Sequence, residues 1–117
     1  MGFDIKSENQ EDSILVITDE EKGISNLILD IEDELLVIEQ FIFQLKHGED
    51  ATLLRKLLEI NRSLVHGALT LDEDLRVIFR DTLQLENMDM NELEASINAL
   101  GLMMAEYAEA FIKYAKS

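Results

Sequence analysis

From Ser13 onward the chain turns apolar in short runs separated by acidic breaks. "SILVIT" is rich in β-branched residues and predicts a first strand, and "DEEKG", ending at Gly23, carries turn chemistry. "ISNLILDI" predicts a second strand, closed by the acids Glu32 to Glu34. From Leu35 the odd positions read Leu35, Val37, Glu39, Phe41, Phe43, Leu45, and the even ones Leu36, Ile38, Gln40, Ile42, Gln44, Lys46. One face is the more apolar, as a third strand in a sheet covered on one side requires.

After "KHGED" the period changes. Asp50 is placed to cap a helix running to about Val65, with Leu53, Leu57, Ile60 and Leu64 on one stripe that predicts packing on the sheet. Gly67 ends this helix, "ALTL" restores a period of two, and the acidic turn "DED" leads into "LRVIFRDTLQL", so this stretch reads as a hairpin. Asp89 and Glu92 form a capping-box pattern. Leu93, Ile97, Leu100, Met104, Tyr107, Phe111 and Tyr114 then follow at helical spacing. About 27 residues of helix would span about 40 Å, longer than a small sheet is wide, which predicts an overhanging end. Met1 to Asp12 is polar with no sustained period and reads as a mobile tail whose Phe3 and Ile5 tuck onto the body. The expected layout is that tail followed by one domain over residues 13–117.

Charge narrows the partners. With 25 acids against 10 bases the net charge is -15, and 14 of the acids against 3 bases lie in residues 1 to 50. Phosphate affinity rests on basic groups displacing counterions, so nucleic acid and anionic membrane are poor partners and a basic protein would be steered to the N-terminal half. No segment has the apolar length of a membrane span, and Met1 to Asp12 lacks the basic start and apolar centre of a signal peptide, so a cytoplasmic location is expected. The absence of cysteine excludes disulfides, thiol nucleophiles and thiolate metal sites.

Candidate chemistry is sparse. Asp72 and Asp74 in "DEDLRVIFRDTL" read as a hairpin turn or as a weak divalent site, without the central glycine and final glutamate of a calcium loop. His47 and His66 have no ligand-type partners at zinc spacing. No nucleophile elbow, phosphate loop or dinucleotide fingerprint occurs, and nothing marks one carboxylate pair above the rest, so neither an enzyme nor a cofactor site is expected. Arg76, Ile78, Arg80 and Thr82 share one strand face, where the arginines suit cross-strand pairing with acids such as Glu39 or an anion site. Met88, Met90, Met103 and Met104 read as core filling or as an adaptable binding surface.

The order βββ-α-ββ-α, Asn61 before the hairpin, Gly67 with Ala68, the alternation "RVIFRDTLQL", and "MDMNELE" opening a long helix that ends in "AEYAEAF" resemble the type III secretion chaperone-like superfamily, in its YbjN-like and Tir-chaperone-like group. The resemblance covers roughly residues 13 to 116. It implies an α+β fold, with an antiparallel sheet of about five strands and both helices mainly on one face. It also implies a small, acidic, cytoplasmic homodimer that binds a partner protein segment against apolar patches and sheet edges. On that reading Phe41, Phe43, Met88 and Met90 are the partner-binding candidates, and Met103 and Ala110 on the last helix, with an edge strand, the dimer candidates. A different class of reading is a ligand-responsive regulator with a pocket between sheet and last helix. The family places a helix before its first strand, which Met1 to Asp12 is too short and polar to supply.

Overall fold

The computed structural model describes residues 4–9, 14–46 and 50–116. Strands β1 (Asp4–Asn9), β2 (Ile14–Asp19), β3 (Ile24–Glu32) and β4 (Leu35–Gln44) precede helix α1 (Ala51–Ser63); β5 (Ala68–Leu71), β6 (Arg76–Gln84) and helix α2 (Met90–Lys116) follow. All pairings are antiparallel, in one six-stranded sheet of order β1-β2-β3-β4-β6-β5.

The expected α+β class and the βββ-α-ββ-α order of elements from residue 13 are observed, with one strand added before them. Asp4–Asn9 lies in the stretch read as a tail and pairs with β2 from Asp4 opposite Thr18 to Asn9 opposite Ile14. These residues form an edge strand of the sheet. Phe3 and His47 lie outside the described residues.

Both helices lie on one sheet face and close a single core. Leu53, Leu57 and Ile60 of α1, and Leu93, Ile97, Leu100, Met103 and Phe111 of α2, join Leu27, Ile38, Phe43, Val77 and Phe79 from the strands. Each helix starts where its capping residue predicts: Asp50 Oδ1 accepts from the Leu53 amide at 3.1 Å, and Asp89 Oδ1 from the Glu92 amide at 2.8 Å. The α1 helix stops at Ser63, short of Val65, and Leu64 rather than Gly67 caps it in extended conformation. Gly67, at φ +74°, serves the entry to β5 instead: a Cβ there would lie 2.7 Å from Phe79 Cε2, so only glycine lets this ring seal the core.

The long helix does not overhang in the way its length predicts. The Leu85 amide donates to the Glu34 carbonyl at 2.9 Å just before α2 begins, while at its far end Phe111 stacks on Phe43 at 5.7 Å and Lys46 Nζ donates to the Lys116 carbonyl at 3.1 Å. The helix therefore runs along β4 for the strand's full length, because β4 and the residues after it are themselves about 40 Å long at ~3.3 Å per residue.

Two buried polar contacts fix the sheet to what covers it. Gln40, 2% exposed on β4, accepts from the Ser25 amide at 2.9 Å and donates to the Gly23 carbonyl at 3.3 Å, pinning the β2–β3 turn. Ser96, fully buried on α2, donates to Asp81 Oδ2 of β6 at 2.7 Å. Among the described residues no buried side-chain polar atom lacks a partner, as a well-determined core requires.

Candidate protein-interaction site

The sheet face turned away from the helices is uncovered among the described residues. Along β4 it presents Leu35, Val37, Glu39 and Phe41. Beside them stand Ile28, Asp30 and Glu32 from β3, Ile78, Arg80 and Thr82 from β6, and Ile14 and Val16 from β2. Val37 is buried by its neighbours, but Ile28, Leu35 and Phe41 are 41%, 39% and 54% exposed, with Ile28 close to Phe41 and Leu35 at the other end of β4. Acids border it on the β3 side, and Arg80 stands directly across from Glu39.

The four predicted partner-binding residues are not brought together. The register of β4 against β6 slips between Phe41 and Phe43, a bulge that adds one residue and turns the rest of the strand over. Phe41 therefore faces outward opposite Ile78, while Phe43 is 5% exposed, stacks on Phe111 and makes a tilted ring contact with Tyr114 in the core. Phe43 is corrected from a contact residue to a core residue. Met88 is half-buried against the core and Met90 is exposed, both beside the start of α2. They lie at the Leu35 end of β4, about 20 Å from Phe41 along the strand.

A second apolar feature follows the outer side of α2. Asn98, Leu102 and Ala105 form a ridge between two grooves. One, of about 610 Å³, lies against the turn Glu20–Ile24; the other, of about 560 Å³, lies against the end of α1 from Ser63 to His66. The turn approaches so closely that a Cβ on Gly101 would sit 2.9 Å from the Lys22 carbonyl oxygen. Leu102, 72% exposed, projects from the ridge. Met103, one residue or about 100° further round the helix, is 2% exposed and belongs to the core, so it is corrected as a dimer candidate; Ala110 is half-buried. The residue that sequence reasoning missed is Leu102, legible only as a leucine off the apolar stripe.

The sheet's β5 edge is partly closed. Asn61 Oδ1 accepts from the Leu69 amide at 2.6 Å and its Nδ2 donates to the Leu69 carbonyl at 3.1 Å. One side-chain amide thus occupies both main-chain groups that an added strand would need at this position, a guard against edge pairing.

The acidic hairpin between β5 and β6 is a structural turn. Asp72 Oδ1 accepts from the Asp74 and Arg76 amides at 2.9 Å each, and Oδ2 meets Arg76 Nε at 2.7 Å. The Arg76 amide bond, above the opposing effect of desolvation, and then the guanidinium hold the Asp72 carboxyl below its ordinary range, and the same pair raises Arg76. Arg76 is spent on its own hairpin, reaching Asp74 as well at 3.3 Å, rather than on the acidic first half of the sheet. Among the described residues no cluster of three or more His, Cys, Asp or Glu could hold a metal ion, and no helix is long and apolar enough to cross a membrane.

An antiparallel sheet with two helices on one face and an apolar open face on the other defines a chaperone-like α+β domain. The chain belongs to the CesT_Tir_1 family of type III secretion chaperones, whose model matches residues 1–117. Among solved structures it is similar to a chain of the heterodimeric complex ExoU-SpcU from the type III secretion system of Pseudomonas aeruginosa. That match has 16% identity and a TM-score of 0.59, covering 68% of this chain and 69% of that one. It is also similar to YbjN, a putative transcription regulator from E. coli, at 14% identity and a TM-score of 0.68, covering 93% of this chain and 84% of that one. A comparison with curated proteins returns no match.

Proposed function

We propose that this protein is a non-enzymatic, homodimeric, cytoplasmic chaperone-like or adaptor protein that holds an apolar, basic-flanked segment of a partner protein on the open face of its sheet. The observation that carries this reading is Phe41. It is a large aromatic held more than half exposed by a bulge, on a face neither helix covers, directly opposite Ile78 and close to Ile28. Membership of a chaperone family supports a protein as the partner, and one chain of the heterodimeric ExoU-SpcU complex shares the fold. The net charge of -15, with Asp30, Glu32 and Glu39 bordering the face, favours basic groups around the apolar ones and disfavours nucleic acid.

The test uses a fluorescently labelled 16-residue peptide of alternating leucine and lysine, titrated by anisotropy. Phe41→Asp is expected to weaken binding at least about tenfold, with an unchanged melting temperature, and a leucine–glutamate peptide is expected not to bind. Equal affinity of the wild type and Phe41→Asp would overturn the reading.

A second reading, a small ligand-responsive regulator, draws on the groove between α2 and the Glu20–Ile24 turn, whose volume of about 610 Å³ lies in the range of small-molecule sites. A screen of common metabolites and nucleotides by thermal shift, in which none raises the melting temperature of the wild type, would remove it.

A further inference from the structure

We infer that Arg80 and Thr82 form a carboxylate-binding subsite on the open sheet face. Its ligand is an acidic side chain of the partner segment, two residues along from the apolar side chain that covers Phe41 and Ile78. This deepens the proposed function and rests on its open-face reading.

Charge is the first observation. Arg76 and Arg80 stand on the same face of β6, and Arg76 is bound to Asp72 and Asp74. Arg80 is exposed and its side chain makes no hydrogen bond or ion pair with any described residue, although Glu39 is directly across from it on β4. Cross-strand pairing, the simplest use of an arginine at this place, is not made. A guanidinium carries five N–H donors in a planar fork that matches a carboxylate, and here none of the five is engaged.

Shape is the second. On its other side Arg80 is opposite Ala68, the first residue of β5. Strand β5 therefore covers β6 only as far as Arg80 and leaves Thr82 with no strand neighbour on that side. A shallow hollow of about 380 Å³ lies there, lined by Gly67, Ala68, Thr70, Arg80, Asp81 and Thr82. Gly67 and Ala68 together bring it a single methyl group.

The hydrogen-bonding groups of the hollow are the third. Asp81 is turned to the helix side, where Oδ2 accepts from Ser96 at 2.7 Å and Oδ1 accepts from the Thr82 amide at 2.8 Å. Thr70 Oγ1 donates to the Ile78 carbonyl at 3.0 Å. The exposed Thr82 hydroxyl has no partner among the described residues, and it stands two residues from Arg80 on the same strand face, about 7 Å along the strand. A carboxylate between them meets the guanidinium on one side and a hydroxyl donor on the other.

The spacing then defines the partner. Phe41 is opposite Ile78, and Ile78 is two residues from Arg80. In an extended segment lying along the strands, alternate side chains turn toward the sheet at the same repeat of about 7 Å. An apolar residue over Phe41 and Ile78 sets the residue two places along over Arg80. The surrounding acids attract the basic flanks of such a segment without excluding one carboxylate, because their field is screened over about 10 Å at 0.1 M salt and the contact with Arg80 is direct.

Three forms of the leucine–lysine peptide test this, carrying leucine, glutamate or glutamine at one central leucine position. The glutamate peptide is expected to bind the wild type at least about tenfold more tightly than the glutamine peptide. That advantage should vanish with Arg80→Gln, reverse with Arg80→Glu and shrink with Thr82→Val, while the leucine peptide holds its affinity for Arg80→Gln within about threefold.

Equal affinities of the glutamate and glutamine peptides for the wild type, or an advantage that survives Arg80→Gln, would overturn the subsite. If Phe41→Asp still weakens the leucine peptide, the open-face reading stands without it. Insensitivity of all three peptides to Phe41→Asp would overturn both. A melting temperature lowered equally by Arg80→Gln and Glu39→Gln, with no further loss in the double variant, would show that these two side chains pair with each other and would also overturn the subsite.

Discussion

Asp72 stands at the entrance to the β5–β6 hairpin, where its carboxylate accepts two amides and one guanidinium N–H within four residues of chain. Those donors organise a turn that also holds Leu75 at φ +62°, a left-handed conformation unfavourable for leucine. The Leu75 carbonyl accepts from the Leu45 amide at 2.9 Å and from Gln44 Nε2 at 3.0 Å, so the hairpin is also tied to the end of β4. The sign of the pH dependence follows from the depressed carboxyl. The unfolded chain takes up the proton first as pH falls, so the stabilisation is present above an unfolded value of about 3.9 and is lost as pH drops through the lower folded value. Melting temperatures of the wild type and Asp72→Asn should therefore differ at pH 7, with the wild type higher, and converge between pH 4 and pH 2. A difference that stays constant over that range would show that the ionised form is not what the turn uses.

At the scale of elements, the legible features were those written locally. The caps at Asp50 and Asp89, the period change at Ala68, and the β-branched runs are all local, and the elements they predict begin and end within a few residues of the observed bounds. The bulge in β4 is not local. The odd positions remain apolar through Phe43 and Leu45, so a straight strand satisfies the pattern, and only the pairing with β6 turns Phe43 inward. Strand β1 was hidden for the opposite reason. "DIKSEN" lacks an apolar period, and its place in the sheet comes from pairing with β2. On α2, the stripe through Met104 differs from the observed core position Met103 by one residue, and that phase decides which side of the helix is available to a partner.

The bulge makes a paired prediction. Phe43→Ala should cost about 3–5 kcal/mol, because it empties a ring site packed against Phe111 and Tyr114. Phe41→Ala should change stability by less than about 0.5 kcal/mol, since its ring is mostly in solvent. Urea unfolding of the two variants checks this, and comparable losses would place both rings in one environment. The β5 edge makes another. Asn61→Ala removes two hydrogen bonds from a buried strand residue and should cost about 1–3 kcal/mol. It also frees an edge, so concentration-dependent aggregation should rise. Loss of stability with no change in aggregation would reduce Asn61 to a tether between α1 and β5.

For the whole molecule, net charge acts on folding and on recognition with opposite signs. Fifteen excess negative charges lie on a molecule with principal extents of 39 × 28 × 25 Å, so many like pairs fall within or near a Debye length of about 10 Å at 0.1 M salt. The exposed ion pairs, such as Arg55 with Glu59 at 3.4 Å on α1, contribute little to offset this. Raising sodium chloride from about 20 mM to about 500 mM screens the self-repulsion over several Debye lengths, so the melting temperature should rise. The same change should weaken the leucine–lysine peptide, because its lysines are attracted by the field that destabilises the fold. Opposite responses in one titration would tie the acidity of the chain to partner recognition, at a cost to its own stability. If the peptide's affinity is unchanged by salt while Phe41→Asp abolishes binding, the open face selects its partner by apolar contact alone and the acids serve another surface. A melting temperature indifferent to salt would mean that the acids are spaced widely enough for water to screen them already.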